Sequence, residues 1–192
     1  MKSLAESANV PTFAVGVTHL IDLKNTCTNM NEEQKTTQAD EQHMRQAIEL
    51  ATENVAKGGG PFGAVIVRDG QVLATGVNRV TANNDPTAHA EVSAIREACS
   101  RLGTFDLSGA VIYSSCEPCP MCLGAIYWAR IKHVYCGCNQ QDADRIGFSD
   151  AFIYQELDRE KADRKLGQTT LLHDEALRAF RAWEEKTDRV DY

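Results

Sequence analysis

The sequence predicts an α/β fold, a three-layer α/β/α sandwich built on a five-stranded mixed sheet. Short apolar runs alternate with amphipathic helical segments from residue 40 onward, which is typical of a sheet covered by helices on both faces. The first two runs are joined by Asp69-Gly70, a strong signal for an antiparallel hairpin. An opening hairpin followed by strands that alternate with helices therefore predicts a mixed sheet.

Periodicity and end signals give the individual elements. Asp40 is a suitable N-cap for a first helix whose apolar residues form one stripe, and a Gly-Gly-Gly-Pro run ends this helix. The predicted helices cover residues 40–57, 87–101, 118–130, 150–157 and 175–187. The predicted strands cover residues 62–68, 71–77, 110–115, 132–137 and 169–173. The second and third helices begin at strand ends, where open α/β sheets place their binding sites.

Residues 1–38 differ from the rest of the chain. They are rich in Thr, Asn, Ser and Gln, lack clear periodicity and contain no arginine, since the first arginine is Arg45. This composition is a poor match to a secretory signal or a mitochondrial presequence. We therefore expect a flexible N-terminal extension over residues 1–38 and a single domain over residues 39–192.

Composition restricts the class of protein. The seven cysteines are odd in number and clustered, which favours a reducing, cytoplasmic location over a disulfide framework. No run of eighteen apolar residues occurs, so we expect no membrane span. The net charge of −7 argues against nucleic acid as the main partner, because phosphate contacts need clustered Lys and Arg. A local basic groove remains compatible with this average.

Two short motifs carry the chemistry. Residues 88–91 read Ala-His-Ala-Glu and residues 118–122 read Pro-Cys-Pro-Met-Cys. His89, Cys119 and Cys122 together offer one nitrogen and two sulfurs, which leaves a tetrahedral zinc ion with one open position, the arrangement of a catalytic site. Glu91 lies two residues after the histidine, where it can move protons. We therefore expect one zinc ion per chain.

The helix starts support this reading. Asp85 or Thr87 is expected to cap the helix that carries His89, and Pro118 suits the first position of the next helix. Helix N-termini carry partial positive charge, which favours thiolates at the two cysteines. A lone Cys-x-x-Cys also fits a redox pair, but the combination with His-x-Glu is the signature of zinc deaminases.

Four other cysteines are given structural roles. Cys99 lies on an amphipathic helix, where we expect it to be packed. Cys136 and Cys138 are spaced two positions apart at a strand end, a poor arrangement for joint zinc ligation, and are interpreted as buried small hydrophobic residues. Cys116 directly precedes the metal loop and is interpreted as structural.

Three stretches of the chain resemble guanine deaminases of the cytidine-deaminase-like superfamily of zinc enzymes. They read Gly-Gly-Pro-Phe-Gly-Ala-Val-Ile-Val (59–67), Asn-Asp-Pro-Thr-Ala-His-Ala-Glu-Val (84–92) and Ser-Cys-Glu-Pro-Cys-Pro-Met-Cys-Leu-Gly-Ala-Ile-Tyr-Trp-Ala-Arg (115–130). The likeness spans roughly residues 40–192 and includes the stretch at 147–154 and the C-terminus. It implies hydrolysis of guanine to xanthine and ammonia in purine catabolism, with zinc-bound hydroxide as nucleophile and Glu91 as proton shuttle. It also implies a homodimer whose C-terminal segment is swapped between protomers.

The resemblance assigns the substrate contacts residue by residue. Asn78 matches a base-binding residue, whose amide offers a donor and an acceptor to a purine edge. Phe62 matches an aromatic residue against the ring, although its sequence position fits a core residue equally well. Trp128 matches a pocket wall, Asp150 an acid near the base, and Tyr192 a terminal residue that closes the pocket.

Other functions are also compatible with parts of the sequence. Ser149 departs from the family, which often has a second acid there. A guanosine deaminase is the nearest alternative, because the sequence contains no feature that admits or excludes ribose. A tRNA adenosine deaminase is disfavoured by the negative charge and by the long segment after residue 147. A non-catalytic scaffold is disfavoured because all three ligands and the glutamate are present.

Overall fold

A four-stranded mixed sheet forms the centre of the computed structural model, which describes residues 36–192. The strand order is β2-β1-β3-β4, with β1 antiparallel to both β2 and β3, and with β3 parallel to β4. The strands are β1 (Gly63–Arg68), β2 (Gln71–Val77), β3 (Val111–Cys116) and β4 (His133–Cys138). The predicted mixed sheet and its opening hairpin are confirmed.

The described part of the chain contains seven α-helices. They are α1 (Gln38–Ala56), α2 (Val80–Asn83), α3 (Ala90–Leu102), α4 (Pro120–Trp128), α5 (Gln140–Arg145), α6 (Ala151–Asp158) and α7 (His173–Glu185). Five of them correspond to predicted helices, whereas α2 and α5 are too short to give a periodic signal. None of the described helices has the length and apolar content needed to cross a membrane.

Three of the helices cover the sheet in two layers, one on each face. Helix α1 packs on one face, where its Ala47 meets Val65 and Tyr113. Helices α3 and α4 pack on the other face, where Ala94 and Ile126 join a larger apolar cluster. This confirms the three-layer α/β/α sandwich, and it places the starts of α3 and α4 on the same side of the sheet.

Two glycines allow the helices to approach the strands closely. A Cβ added at Gly63 would lie 2.4 Å from the carbonyl oxygen of Ala47 in α1. A Cβ added at Gly76 would lie 2.1 Å from the carbonyl oxygen of Ala90 in α3. The distances between helix and sheet are therefore set by backbone contacts, which a side chain at either glycine would disrupt.

The start of α1 differs from the prediction. Thr37 is the N-cap, and its hydroxyl accepts a hydrogen bond from the backbone N–H of Asp40, whose carboxylate accepts one from the Thr37 N–H. The prediction of Asp40 as the cap is therefore wrong, because Asp40 is the third residue of a reciprocal capping box. Its other oxygen accepts a 2.5 Å hydrogen bond from Tyr113 of β3.

The fifth predicted strand, residues 169–173, is wrong. Residues 169–172 form no ladder in the described structure, and His173 already belongs to α7. Leu172 has a φ of 53°, in the left-handed region that a strand excludes. Leu171 and Leu172 are both exposed, so local strand propensity is not supported here by pairing or burial.

Two further expectations concern the chain ends and the outer strand. The extension was predicted for residues 1–38. Residues 1–35 lie outside the described residues, and Gln38 already belongs to α1.

Cys136 and Cys138 are exposed on β4, so the prediction that they are buried is wrong. Strand β4 is the last strand of the described sheet, and its second half is therefore covered less than a central strand. Cys99 packs against the core as predicted.

Candidate active site

The two metal-site helices each begin one residue after a candidate metal ligand. His89 is the N-cap of α3 and Cys119 is the N-cap of α4, and both have extended backbones with φ values of −71° and −68°. Pro120 occupies the first turn of α4, where its missing N–H has no helical partner to lose. The side chains of His89 and Cys119 extend from the two helix N-termini toward each other.

The expected caps do not start these helices. Asp85 accepts hydrogen bonds from the backbone and hydroxyl of Thr87 at 2.8 and 2.7 Å, so it closes the preceding turn. Pro118 lies ahead of the ligand and outside α4. The predictions of Asp85, Thr87 and Pro118 as helix starts are therefore wrong, because metal-ligand geometry overrides ordinary capping preference here.

The three predicted ligands are close enough to share one metal ion. His89 Nδ1 lies 3.5 Å from Cys119 Sγ and 3.5 Å from Cys122 Sγ. Tetrahedral zinc bonds to nitrogen and sulfur place these atoms about 3.6 Å apart, so the donor set fits zinc. Cys122 is buried, and His89 and Cys119 are half-buried, which leaves one side of the cluster open.

The cysteine pair readily carries one negative charge, which lies on Cys119. The hydrogen bond from Cys122, helped by His89, lowers the pKa of Cys119 to about 4. The pKa of Cys122 is raised, because its thiol is hydrogen-bonded to the Cys119 thiolate and is buried. The hydrogen bond with Cys119 also raises the pKa of His89. A cation between these groups is favoured, and cysteines that ligate zinc are thiolates.

Glu91 lies beside the metal ligands in the first turn of α3 and is 6% exposed. Its Oε1 accepts a 3.0 Å hydrogen bond from the hydroxyl of Ser114 in β3. Burial is the largest cause that raises the pKa of Glu91. A carboxyl group with a raised pKa exchanges protons near neutral pH more readily than an ordinary glutamate, which suits a general acid and base.

A cavity of about 550 Å³ opens over this cluster and includes His89, Glu91 and Cys119 in its lining. Its volume is in the range typical of small-molecule sites. A second hollow of about 570 Å³ borders α1, α3 and β2, and none of the three metal ligands lines it. The chemistry-bearing groups therefore point to the first cavity, hereafter the catalytic cavity.

Residues 37–138 match a family model described as the cytidine and deoxycytidylate deaminase zinc-binding region. This is over half of the chain, and it contains all three ligands and Glu91. The chain belongs to this family of zinc-dependent deaminases. Zinc is its cofactor, and the resemblance inferred from the sequence is confirmed.

Similar proteins include guanine deaminase of Bacillus subtilis (strain 168), which is 50% identical over 153 residues, or 79% of this chain and 98% of the relative. A crystal structure of a Bacillus subtilis guanine deaminase aligns with a TM-score of 0.77 over the same shares. A structure of guanine deaminase from Nitrosomonas europaea is 32% identical and aligns with a TM-score of 0.58 over 79% of this chain and 88% of that one. A tRNA-specific adenosine deaminase of Agrobacterium fabrum is 40% identical over 62% of this chain and 79% of the relative.

Three of the five predicted substrate contacts of this deaminase line the catalytic cavity. They are Asn78 at the end of β2, Phe62 just before β1, and Asp150 at the start of α6. Asp150 makes no capping bond with its side chain, and its Oδ1 is buried without a hydrogen-bond partner. Burial raises the pKa of Asp150. Ser149 also lines the cavity.

The other two predicted contacts lie elsewhere. Trp128 and Tyr192 are 67% and 72% exposed, and their ring centroids are 5.9 Å apart. Neither residue lines the catalytic cavity of its own chain. In a single chain of this deaminase, the structure therefore does not bring them together with the metal ligands.

Sequence reasoning missed several residues around the cavity. Phe148 packs edge-to-face against Phe62, with ring centroids 4.9 Å apart, and lies within a stretch that carries the family resemblance. Ser114 holds Glu91 from a buried strand, where a hydroxyl gives no periodic signal. Asn54 is a buried polar residue of α1. It lies three residues after Ala51 on the buried face of the helix, and this spacing is a signal that could have been used.

Proposed function

We infer that this deaminase hydrolyses guanine to xanthine and ammonia. The observation that carries the inference is the 50% identity to Bacillus subtilis guanine deaminase, which runs through 98% of that relative's length. The similarity to the Agrobacterium fabrum tRNA-specific adenosine deaminase covers only 62% of the chain. Guanine deamination is therefore favoured over the tRNA and nucleoside alternatives.

The reaction replaces the exocyclic amine of the base with an oxygen from water. When bound by His89, Cys119 and Cys122, zinc supplies a Lewis acid that makes water nucleophilic at neutral pH. Glu91 takes the proton released by the water and passes it to the ring nitrogen. Glu91 then moves the second proton of the water from the new hydroxyl group on the reacting carbon to the exocyclic amine. The C–N bond breaks, ammonia leaves, and the carbonyl group of xanthine forms. The Ser114 hydroxyl keeps Glu91 Oε1 oriented during both transfers.

The proposed base contacts divide recognition between an amide, an aromatic ring and a carboxylate. Asn78 offers an amide donor and acceptor, and its Oδ1 lies 3.3 Å from the backbone N–H of Val80. Phe62, supported by Phe148, presents an aromatic surface to the flat base. Asp150 has an unpartnered buried oxygen, which suits the N–H groups of guanine and leaves adenine without an equivalent donor pattern.

Measurement of ammonia release from guanine, guanosine, adenine, cytosine and an unmodified tRNA tests the proposal. We expect the highest kcat/KM on guanine, and the Glu91→Gln variant serves as a control for contaminating deaminases. A higher kcat/KM on guanosine would move the function to the nucleoside alternative. Activity confined to tRNA would contradict both.

We also propose a homodimer in which the C-terminal segment crosses to the partner and Tyr192 closes the partner's cavity. Every residue of α7 except Leu177 is exposed, although the helix is strongly amphipathic and includes Phe180 and Trp183. Tyr127 and Trp128 of α4 are exposed as well. Apolar surface of this extent is typical of an interface, and swapping identical elements is a low-cost route to a dimer.

A cytoplasmic location and a role in purine catabolism complete the proposal. The zinc site needs two reduced cysteines, and a reducing compartment keeps them so. Recovery of the protein with the cytoplasmic fraction of its source cells tests the location. Accumulation of guanine after deletion of the gene tests the role.

A further inference from the structure

Asn54 is a buried polar side chain that the reaction does not use. It lies near the end of α1 and is 6% exposed. An amide removed from water costs free energy unless its hydrogen bonds are satisfied. The contacts of Asn54 therefore indicate what this residue contributes.

The Asn54 amide joins two loops that border the catalytic cavity. Its Nδ2 donates to the carbonyl oxygen of Gly60 at 2.9 Å and to the carbonyl oxygen of Asn78 at 2.8 Å. Gly60 belongs to the glycine loop after α1, and Asn78 follows β2; both line the cavity. One side chain thus fixes the backbone that carries Asn78 and the loop that faces it.

The glycine loop is shaped around this amide. The backbone N–H of Gly59 donates to the backbone carbonyl oxygen of Asn54 at 2.9 Å. A Cβ at Gly59 would lie only 2.2 Å from Nδ2 of the Asn54 side chain. A Cβ at Gly60 would lie 3.0 Å from Cγ of Asn78. Neither glycine has a positive φ, so close approach, and not backbone conformation, requires glycine here.

We propose that Asn54 is a positioning residue that sets substrate affinity by holding Asn78 and the glycine loop in register against the purine base. This inference rests on the proposed function, in which Asn78 contacts the base. The side-chain amide of Asn54 donates to Gly60 and Asn78, whereas Glu91 and the metal ligands lie at the starts of α3 and α4. Its loss should therefore change KM for guanine more than kcat or zinc content.

The first test compares Asn54→Ala with Thr52→Ala. Thr52 is a matched control, because its hydroxyl donates to Ile48 O within the same helix but on the exposed side. We expect Asn54→Ala to raise KM about tenfold, equivalent to about 1.4 kcal/mol, with one zinc retained and kcat within about threefold of wild type. We expect Thr52→Ala to leave KM unchanged.

A merely structural role predicts a different result. It would lower the melting temperature and the active fraction, and hence the apparent kcat, while the folded molecules kept the wild-type KM. Unchanged KM in Asn54→Ala would overturn the inference while leaving guanine deamination intact. A wild-type protein that releases no ammonia from guanine would overturn the proposed function and the inference with it.

The second test displaces the amide without removing it. Gly59→Ala introduces a Cβ 2.2 Å from Nδ2 of Asn54, which must then move. We therefore expect Gly59→Ala to raise KM for guanine as Asn54→Ala does. This variant tests the proposal even if Asn54→Ala does not fold. In a double-mutant cycle, Gly59→Ala should add little to KM in the Asn54→Ala background, because the clash is gone. Fully additive effects of the two substitutions on KM would contradict the proposed coupling.

Discussion

At the scale of single residues, Glu91 has the two properties that a proton shuttle needs. It is buried, which raises its pKa, and its Oε1 is held by the Ser114 hydroxyl. Its position in the first turn of α3, two residues after His89, places it beside the metal ligands without making it one of them. Proton transfer and metal binding are therefore carried by different side chains and can be removed separately.

Glu91→Gln should keep the fold and the zinc but reduce kcat by about 10²–10⁴-fold, because an amide cannot relay the proton. Cys119→Ser is the matched comparison and should lose both zinc and activity. Elemental analysis and ammonia release on the same preparations check both variants. Activity of Glu91→Gln within about tenfold of wild type, or undiminished zinc in Cys119→Ser, would contradict these assignments.

The sequence predicted His89, Cys119 and Cys122 as one metal site because His-x-Glu and Cys-x-x-Cys together form a recognisable motif pair, although His89 and Cys119 are 30 residues apart. The role of Glu91 stays a prediction. The sequence did not predict the helix caps, since general preferences rank Asp and Thr above His and Cys. Ser114 and Asn54 act through contacts across the sheet or between loops, with sequence separations of 23 and 24 residues. Local patterns contain no information about such contacts.

At the scale of secondary-structure elements, α1 is attached to the sheet through Asp40. Hydrogen bonds from Tyr113 and Thr37, together with the nearby charge of His43, lower the pKa of Asp40 below its ordinary value of 3.8. The pKa of Asp40 is therefore lower in the folded protein than in the unfolded protein. Its carboxylate stabilises the fold above pH 3.8, and this contribution to the free energy of unfolding is lost as the pH falls through the folded-state pKa.

Asp40→Asn should therefore lower the melting temperature at neutral pH, and the difference from wild type should shrink as the pH falls below 3.8. Glu41→Gln is the control, because Glu41 shares the first turn but pairs only with exposed Arg45 in the same helix. Loss of zinc in acid affects all three proteins alike. A difference between wild type and Asp40→Asn that persists unchanged in acid would contradict the assignment.

The contact between α3 and β2 should be equally sensitive. Gly76→Ala places a Cβ 2.1 Å from Ala90 O and 2.5 Å from Ala94 N, so we expect overpacking to destabilise the protein by about 1–3 kcal/mol. Because His89 directly precedes Ala90, zinc affinity should fall as well. Gly167→Ala is the control, since nothing lies within 4 Å of a Cβ there. Thermal unfolding and competition with a zinc chelator measure both effects, and wild-type values for Gly76→Ala would refute this account.

The elements were predicted unequally well for physical reasons. Strands β1 and β3 are buried on both faces. Strand β1 contains the continuous apolar run Ala-Val-Ile-Val, and β3 begins with Val-Ile-Tyr before two buried serines. Residues 169–172 read Thr-Thr-Leu-Leu, which favours a strand locally, yet they pair with no strand in the described chain. Pairing depends on a partner edge that the segment itself does not specify, whereas amphipathic periodicity alone is sufficient to predict α7.

At the scale of the whole molecule, apolar surface is concentrated on the C-terminal segment and on α4. Phe105, Trp128 and Tyr192 form an exposed aromatic group, with Tyr192 6.2 Å from Phe105 and 5.9 Å from Trp128 between ring centroids. Helix α7 adds Phe180 and Trp183. Monomeric proteins seldom leave contiguous surface of this kind in water, so the proposed dimer gives both segments a partner.

The swapped arrangement predicts that two defective chains restore one working site when they are combined. One chain carries Glu91→Ala with an intact tail, and the other keeps Glu91 but lacks residues 190–192. Because a partner's tail would close the cavity and exclude water, the second chain's metal site becomes complete in a mixed dimer. If the tail instead serves its own chain, neither site of that dimer has both Glu91 and a tail.

We therefore expect mixed dimers, refolded together and purified through two different affinity tags, to recover activity through one of their two sites. Each defective homodimer, treated in the same way, should stay nearly inactive while the truncated one retains zinc, and refolded wild type sets the full value. Mixed dimers that remain inactive beside an active wild-type control would rule out the swap. Because every mixed dimer contains one intact Glu91 and one intact tail, the result depends only on whether the tail reaches across the interface, which no single-chain measurement can reveal.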